Sequence, residues 1–161
     1  MIIFFLFTVI IISNAQPQNI NQIEYNNSTK SLTINKEGNI TKIEIRKYLN
    51  QNSINEDDIE YIHLGKDVMF NKHLIDSFED VKDVEIDEEN ELYTMKENVI
   101  YSKDGKKLIY YPNNLENTHY TIPKEVEIIE SNAFSLSKLK SILFNKDLIE
   151  IQSDSDRKSV V

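Results

Sequence analysis

Acidic side chains are concentrated in residues 78–91, whose sequence is FEDVKDVEIDEENE. Carboxylate oxygens are hard ligands that suit Ca²⁺, and Asp87, Glu88, Glu89 and Glu91 could supply four of them. The stretch has neither the ligand spacing nor the turn glycine of an EF-hand loop. Its valines and isoleucine fit a strand whose acids point to solvent. We therefore interpret the stretch as a solvated acidic face rather than as a calcium site.

Residues suited to catalysis are sparse. The three histidines, His63, His73 and His119, have no neighbouring cysteine and no close histidine partner that would complete a metal site. The sequence contains no recognisable nucleophile with its base, and its three glycines are too few for a phosphate-binding loop. The sequence thus predicts neither an enzyme nor a protein with a metal or cofactor.

The N-terminus carries a targeting signal. Residues 2–12, IIFFLFTVIII, are all apolar or uncharged, and small residues at the end of the following SNA fit a signal-peptidase site. We predict a cleaved signal peptide over residues 1–15 and a secreted or extracellular-surface protein. The run is shorter than the roughly 20 residues that span a bilayer, so we expect no membrane span in the mature chain. An uncleaved anchor and a buried terminal strand are the alternatives.

Charge and cysteine content restrict the partners and the source of stability. The formal net charge of −9 disfavours nucleic acid and anionic membrane surfaces. A secreted chain without cysteine must gain its stability from a continuous apolar core rather than from disulfides. Asn26, Asn27 and Asn39 each begin an Asn-x-Ser/Thr sequon in a polar stretch and are candidate glycosylation sites.

The elements that would position these residues recur along the chain. The pattern apolar-x-x-apolar-x-apolar begins at Ile40, Ile59, Val81 and Leu139, and a partial copy occurs around Tyr120. The spacing from Ile62 to Val84 and from Tyr120 to Ile142 is 22 residues in both cases. Such a period, with one short strand in each unit, predicts a leucine-rich-repeat-like solenoid in which stacked units share one elongated core.

Residues 120–144, YTIPKEVEIIESNAFSLSKLKSILF, resemble the BspA-like leucine-rich repeats. The residues that carry the motif are Tyr120, Ile122, Pro123, Val126, Ile129, Ala133, Phe134, Leu139 and Ile142. Residues 97–112, ENVIYSKDGKKLIYYP, are similar to the hairpin that interrupts units of this family. The resemblance covers residues 58–152 and implies a surface protein that adheres to host cells, matrix or other microbes.

The predicted fold class is an α/β-type repeat solenoid of short parallel strands with irregular or short helical return legs and one inserted β-hairpin. Asp104-Gly105 provides the hairpin turn, and the insert accounts for the long gap between Val84 and Tyr120. The predicted organisation is a signal peptide (1–15), a polar N-terminal segment (16–38), a solenoid (39–152) with its hairpin insert (97–112), and a polar tail (153–161).

Outward residues of successive strands would form the binding surface of such a solenoid. This face mixes aromatic, imidazole and acidic groups, which suits a protein or glycan ligand better than a small molecule. The alternatives are a merely solvated face on a structural or antigenic spacer, and, less favoured, a calcium-dependent or enzymatic protein. The predicted partner-binding residues are Lys42, Glu44, Tyr61, His63, Asp83, Glu85, His119, Thr121, Ser141 and Leu143.

The C-terminal unit raises a separate expectation. It runs from Leu139 through Leu148 to Ile151 and is followed by QSDSDRKSVV, which has no Ala-Phe pair and no polar capping unit. An uncapped solenoid end exposes its apolar columns and an unpaired strand edge. We therefore expect either a truncated member of a longer repeat family or self-association through the C-terminal solenoid edge.

Overall fold

The computed structural model of this chain describes residues 22–78 and 80–152. The predicted signal peptide and the predicted polar tail lie outside the described residues. The described part contains thirteen strands and two α-helices. In chain order these are β1 (Ile23–Asn26), β2 (Ser31–Ile34), β3 (Gly38–Asn39), α1 (Lys42–Gln51), β4 (Tyr61–Leu64), β5 (Val68–Met69), α2 (Lys72–Ile75), β6 (Asp83–Ile86), β7 (Tyr93–Lys96), β8 (Val99–Ser102), β9 (Lys107–Tyr110), β10 (His119–Thr121), β11 (Ile128–Ile129), β12 (Ser141–Leu143) and β13 (Glu150–Ile151).

The first half of the described chain is built on a four-stranded sheet with the order β1-β2-β4-β6. Strands β2, β4 and β6 are parallel, and Leu32, Ile62 and Val84 are aligned across them with buried side chains. The 22-residue spacing from Ile62 to Val84 is thus the pairing register of two neighbouring strands. Strand β1 pairs antiparallel with β2 and covers its free edge at the N-terminal end.

The prediction that a repeat-unit strand follows Ile40 is wrong. Residues 42–51 form α1, in which Ile45 is buried but Ile43 is 80% exposed. Thr41 and Glu44 form a reciprocal capping box that starts the helix, and this local signal outweighs the apolar spacing. The strand of this unit is β2, which lies within the segment predicted to be polar and outside the solenoid. Because α1 lengthens the unit, Leu32 and Ile62 are 30 residues apart.

The second half repeats the same arrangement at the predicted spacing. Strands β10 and β12 pair in parallel with Tyr120 opposite Ile142, and the later strands β11 and β13 pair with Ile129 opposite Ile151. The predicted inward positions Val126, Ile129 and Phe134 are buried, which confirms the register of the return leg. Their burial explains why the apolar spacing after Pro123 follows neither a strand nor a helix period.

The predicted hairpin is confirmed and has a larger role than an insert. Strands β8 and β9 pair antiparallel around Gly105, whose φ of 75° favours glycine. Strand β7 adds to β8, and β9 pairs in parallel with β11, so that the sheet has the order β13-β11-β9-β8-β7. The hairpin is therefore a structural part of the second half rather than an appendage.

The hairpin separates two apolar cores. Ile100 and Tyr110 pack into the core of the first half, whereas Val99, Tyr101 and Leu108 pack into the core of the second half. A bulge next to Ile100 and Tyr101 shifts the register of the two strands at this point. The two halves therefore share the hairpin as a common wall.

Asparagine side chains also join neighbouring units. The Nδ2 of Asn90, which is fully buried, donates to the carbonyl oxygens of Gly65 (3.2 Å) and Val68 (3.1 Å). The Nδ2 of Asn145 donates in the same way to Pro123 (2.6 Å) and Val126 (2.9 Å). Each asparagine amide thus bridges two carbonyls of the preceding unit.

Candidate partner-binding face

Strands β4 and β6 present a row of polar and aromatic side chains to solvent. Tyr61 lies opposite Asp83, and His63 lies opposite Glu85. These side chains point outward because Ile62, Leu64 and Val84, which alternate with them, are buried in the core. Tyr61 is 43% exposed, and the Nδ1 of His63 is 3.6 Å from the Oε2 of Glu85. The four side chains thus form one accessible patch.

Two cavities flank this patch. One has a volume of 330 Å³ and is lined by Thr29, Ser31, Tyr61, Ile62, His63 and Glu85. The other has a volume of 960 Å³ and is lined by His63, residues 85–89 and residues 93–95. Both are lined by His63 and Glu85, and we name the two together the His63 groove.

The acidic wall of the His63 groove is held in place by hydrogen bonds. The backbone N–H of Asp87 donates to the Leu64 carbonyl at 2.9 Å, and the Asp87 carboxylate accepts from the Glu89 N–H at 2.8 Å. The Nζ of Lys103 donates to the Glu88 carbonyl at 2.9 Å. These contacts use backbone groups and Asp87, so that the carboxylates of Glu88 and Glu89 stay exposed.

The opposite wall comes from β7, which was not predicted from the sequence. The Oδ1 of Asn90 accepts from the backbone N–H groups of Leu92 and Tyr93, both at 3.0 Å, and so directs the chain into β7. Tyr93 packs edge-on against Phe70, with ring centroids 6.3 Å apart. The alternation of Tyr93 and Met95 could have indicated a strand, but nothing in the sequence placed that strand beside Glu85.

In the described part of the chain, the groove carboxylates form no salt bridge with lysine or arginine, although the Lys103 ammonium lies at the Glu88 carbonyl. Within residues 22–78 and 80–152, no lysine or arginine lies within salt-bridge distance of Glu85, Asp87, Glu88 or Glu89. Burial raises the pKa of Asp83, and the nearby Glu85 carboxylate raises it further.

The nearest lysines on this sheet are engaged elsewhere. Lys30 and Lys82 both bind Glu60, and these three residues immediately precede β2, β6 and β4 respectively. These bonds hold the pKa of Glu60 below its usual value. The Lys–Glu–Lys ladder directs both ammonium groups to Glu60, and among the described residues neither forms a salt bridge with a carboxylate of the groove.

Two of the predicted face residues lie elsewhere. Lys42 and Glu44 belong to α1, because the residues around Ile43 form a helix instead of a strand. The Nζ of Lys42 is 3.0 Å from the Oε1 of Glu56 and 3.1 Å from the Ser77 carbonyl. Glu44 caps its own helix and binds Lys36. Neither side chain is on the sheet face.

The remaining face residues form a second row. His119 lies opposite Ser141 and Thr121 lies opposite Leu143, on the separate two-stranded sheet of β10 and β12. In the part of the chain that the structure describes, no strand pairing joins β6 to β10. The single outward column predicted from the sequence is therefore divided into two rows, and only the row with Tyr61 and His63 borders the groove.

The three sequon asparagines are exposed. Asn26 ends β1, and its Oδ1 accepts from the backbone N–H groups of Ser28 (2.9 Å) and Thr29 (3.3 Å). Asn27 lies in the turn that follows, and Asn39 ends β3. Their glycosylation stays a prediction.

Two other kinds of feature are absent from the described residues. No group of three or more His, Cys, Asp or Glu side chains there is arranged to hold a metal ion. No helix in residues 22–78 or 80–152 is both long and apolar enough to cross a membrane.

Two solved structures share this fold. A leucine-rich repeat protein from Eubacterium ventriosum superposes with a TM-score of 0.51 and 22% identity, over 58% of this chain and 26% of that protein. The pneumococcal vaccine antigen PcpA superposes with a TM-score of 0.50 and 32% identity, over 59% of this chain and 24% of PcpA. This chain therefore has a leucine-rich-repeat-like fold and spans about a quarter of the length of each of these proteins. No protein-family model and no curated protein matches it.

Proposed function

We propose that this chain is a secreted or cell-surface recognition module of the BspA-like leucine-rich-repeat type, which adheres to host cells, matrix or other microbes. The observation that carries the proposal is the His63 groove, where Tyr61, His63 and Glu85 form an accessible surface between two cavities. Solenoid proteins bind partners on extended surfaces of this kind. A protein or glycan is the expected ligand.

The comparison with PcpA supports display outside the cell. PcpA is described as a pneumococcal vaccine antigen. Its similarity to this chain is consistent with a protein that is displayed at a cell surface. The formal charge of −9 opposes binding to nucleic acid.

The test is binding of the labelled chain, beginning at Gln16, to host cells and to matrix-coated surfaces. A Tyr61→Ala/His63→Ala variant should lose at least about tenfold in binding, because large aromatic and polar groups at the centre of an interface contribute most of its affinity. The matched control is His119→Ala/Thr121→Ala, which removes side chains from the other outward row. Both variants alter solvent-accessible outward positions, and thermal melts should show that both remain folded.

The results separate the competing functions. Equal binding by all three proteins would refute the groove as the adhesive surface. An absence of binding by the unaltered chain on every surface would favour a structural or antigenic spacer. Binding that is lost upon chelation of calcium would instead support the calcium-dependent alternative.

A further inference from the structure

We infer that the C-terminal unit, formed by β12 and β13, is a two-fold dimerisation surface that pairs edge to edge with the same unit of a second copy of this chain. The inference goes beyond the proposed function, because it concerns the end of the fold and not the His63 groove. Three features of the unit carry it, namely its strand edges, its exposed apolar side chains and its local charge.

The edge of β12 offers backbone groups to a second strand. Ser141 donates its N–H to the Thr118 carbonyl at 3.2 Å, and the Leu143 carbonyl accepts from the Ile122 N–H at 2.9 Å. Alternate residues of a strand direct their backbone groups to opposite sides, so the N–H and C=O of Ile142 point away from β10. Among the described residues, no strand pairs with that side of β12.

Strand β13 has the same arrangement. Glu150 donates its N–H to the Glu127 carbonyl at 3.1 Å, and Gln152 donates to the Ile129 carbonyl at 2.9 Å. The backbone groups of Ile151 therefore point away from β11. Both strands pair with the preceding unit at the same offset of 22 residues, so their open edges belong to one unit.

Apolar side chains are exposed along these two edges. The other large exposed apolar side chains of the described fold occur singly along the chain. An exposed apolar cluster at an open strand edge favours pairing with another chain. The clustered side chains lie within nine residues of sequence and are Leu143, Phe144, Ile149 and Ile151.

The local charge permits two copies of this unit to approach each other. Residues 138–152 contain three lysines and two acidic residues, which gives a net charge of +1, whereas the whole chain carries −9. Repulsion between two copies is therefore weak at this end of the molecule. In an antiparallel pair centred on Ile142, Ser141 lies opposite Leu143 of the second copy, so that no like charges are directly opposed at the centre.

The N-terminal end of the fold is less suited to receive this edge. The backbone N–H of Tyr25 in β1 donates to the hydroxyl of Tyr48 in α1 at 2.9 Å. The helix thus covers a donor that an incoming strand would need. Pairing of like edges also closes after two copies, whereas head-to-tail pairing continues into a filament. We therefore expect a dimer and no larger species.

Sedimentation equilibrium and hydrogen exchange of the chain beginning at Gln16 test this assembly. The Ile142 amide should exchange at least about tenfold more slowly where the dimer dominates than where the monomer dominates, because a carbonyl of the second copy protects it. The Tyr25 amide, which is bonded within its own chain, should exchange equally at both concentrations. Species larger than a dimer, or an Ile142 exchange rate that is independent of concentration, would overturn the inference.

Introduced cysteines locate the two-fold axis, because the chain itself contains no cysteine. Directly opposed residues of paired strands have Cα atoms about 4.5 to 5.5 Å apart, which suits a disulfide. A mixture of Ser141→Cys and Leu143→Cys proteins should therefore form a disulfide-linked heterodimer upon oxidation. Either variant alone should cross-link at least about fivefold less, because each residue lies diagonal to its own copy at about 7 to 8 Å.

The control is Leu92→Cys, at an exposed leucine outside this unit, mixed with either variant. Thermal melts should show that all three variants remain folded. Equal cross-linking of the control, or efficient cross-linking of Ser141→Cys with itself, would overturn the pairing centred on Ile142.

Other occupants of this edge give different results. A chain that stays monomeric at every concentration overturns the inference, and dimerisation upon deletion of residues 153–161 would then assign the edge to the chain's own tail. Cross-linking of Leu143→Cys to Glu24→Cys in β1, in place of Ser141→Cys, would also overturn the inference and would assign head-to-tail pairing.

Discussion

The side chain of Phe134 is buried in an aromatic cluster of the second core. It is only 3% exposed, and its ring lies 5.6 Å from Tyr111 and 6.1 Å from Tyr120, measured between ring centroids. Phe134→Ala should reduce the free energy of unfolding by about 3 to 5 kcal/mol, because the cavity in a packed aromatic cluster cannot fully collapse. Urea denaturation measures this loss.

Phe144 provides the control for this change, since its side chain is 48% exposed. Phe144→Ala should change the free energy of unfolding by no more than about 0.5 kcal/mol, as is usual for surface positions. Equal effects of the two substitutions would contradict the assigned burial and the repeat register.

The beginning of α1 shows how a single carboxylate can make an element sensitive to pH. The ammonium group of Lys36 and the Thr41 hydroxyl and backbone N–H hold the pKa of Glu44 at about 2, below its usual 4.5. A lowered pKa in the folded state means that the contribution of this carboxylate is complete above about pH 4.5 and is lost as the pH falls toward 2.

We therefore expect Glu44→Gln to destabilise the protein at pH 6 and to have progressively less effect as the pH is lowered from 4.5 to 2. Chemical denaturation of both proteins across this range measures the difference. Glu37→Gln, at an exposed glutamate outside the helix, is the control. A constant difference between Glu44→Gln and the unaltered protein at all pH values would contradict a charge-based role of Glu44.

The hairpin of β8 and β9 connects the stability of the two halves. Ile100 is buried in the first core and Leu108 in the second. Ile100→Ala and Leu108→Ala should each cost about 2 to 5 kcal/mol. Because the two strands form one common wall, each substitution should reduce amide hydrogen-exchange protection on both sides of the hairpin.

Native-state hydrogen exchange tests this coupling directly. The strands to follow are β4 in the first half and β11 in the second, neither of which is altered by the substitutions. Loss of protection in only the half that contains the altered side chain would show that the two halves unfold independently.

At the scale of the whole molecule, the two ends of the described fold differ. Strand β1 covers the edge of β2 at the N-terminal end, whereas the last unit exposes Leu143 (66%) and Ile149 (77%) together with Phe144 and Ile151. Among residues 22–78 and 80–152, strands β12 and β13 are edge strands of their sheets. An exposed apolar edge favours pairing with another chain.

We therefore expect the chain beginning at Gln16 to self-associate through β12 and β13 as its concentration rises. Leu143→Lys should lower the average mass measured by light scattering, because it places a charge on the approaching edge and leaves the inward columns intact. Leu92→Lys, at another exposed leucine, should leave the mass unchanged. A monomer at every concentration, with or without these changes, would contradict self-association.

Local and periodic features of this protein were readable from its sequence alone. The 22-residue spacing predicted the pairing of Ile62 with Val84 and of Tyr120 with Ile142, because stacked units must place equivalent residues in one column. Asp104-Gly105 predicted the hairpin, because a tight turn between two apolar runs needs a residue that accepts a positive φ. The outward orientation of Tyr61, His63 and Glu85 followed from strand alternation.

Tertiary structure decided what these local features could not. The Thr41–Glu44 capping box is a local signal, and it starts a helix where the apolar spacing at Ile40 suits a strand. Tertiary packing decided instead which segment provides the strand of this unit, because Leu32 and Ile34 of β2 align with β4. The His63 groove exists because β7 pairs with β8 and stands beside β6. The position of β7 depends on the β8–β9 hairpin, which contributes side chains to both apolar cores. The residue pattern of a single repeat unit does not predict such long-range pairing.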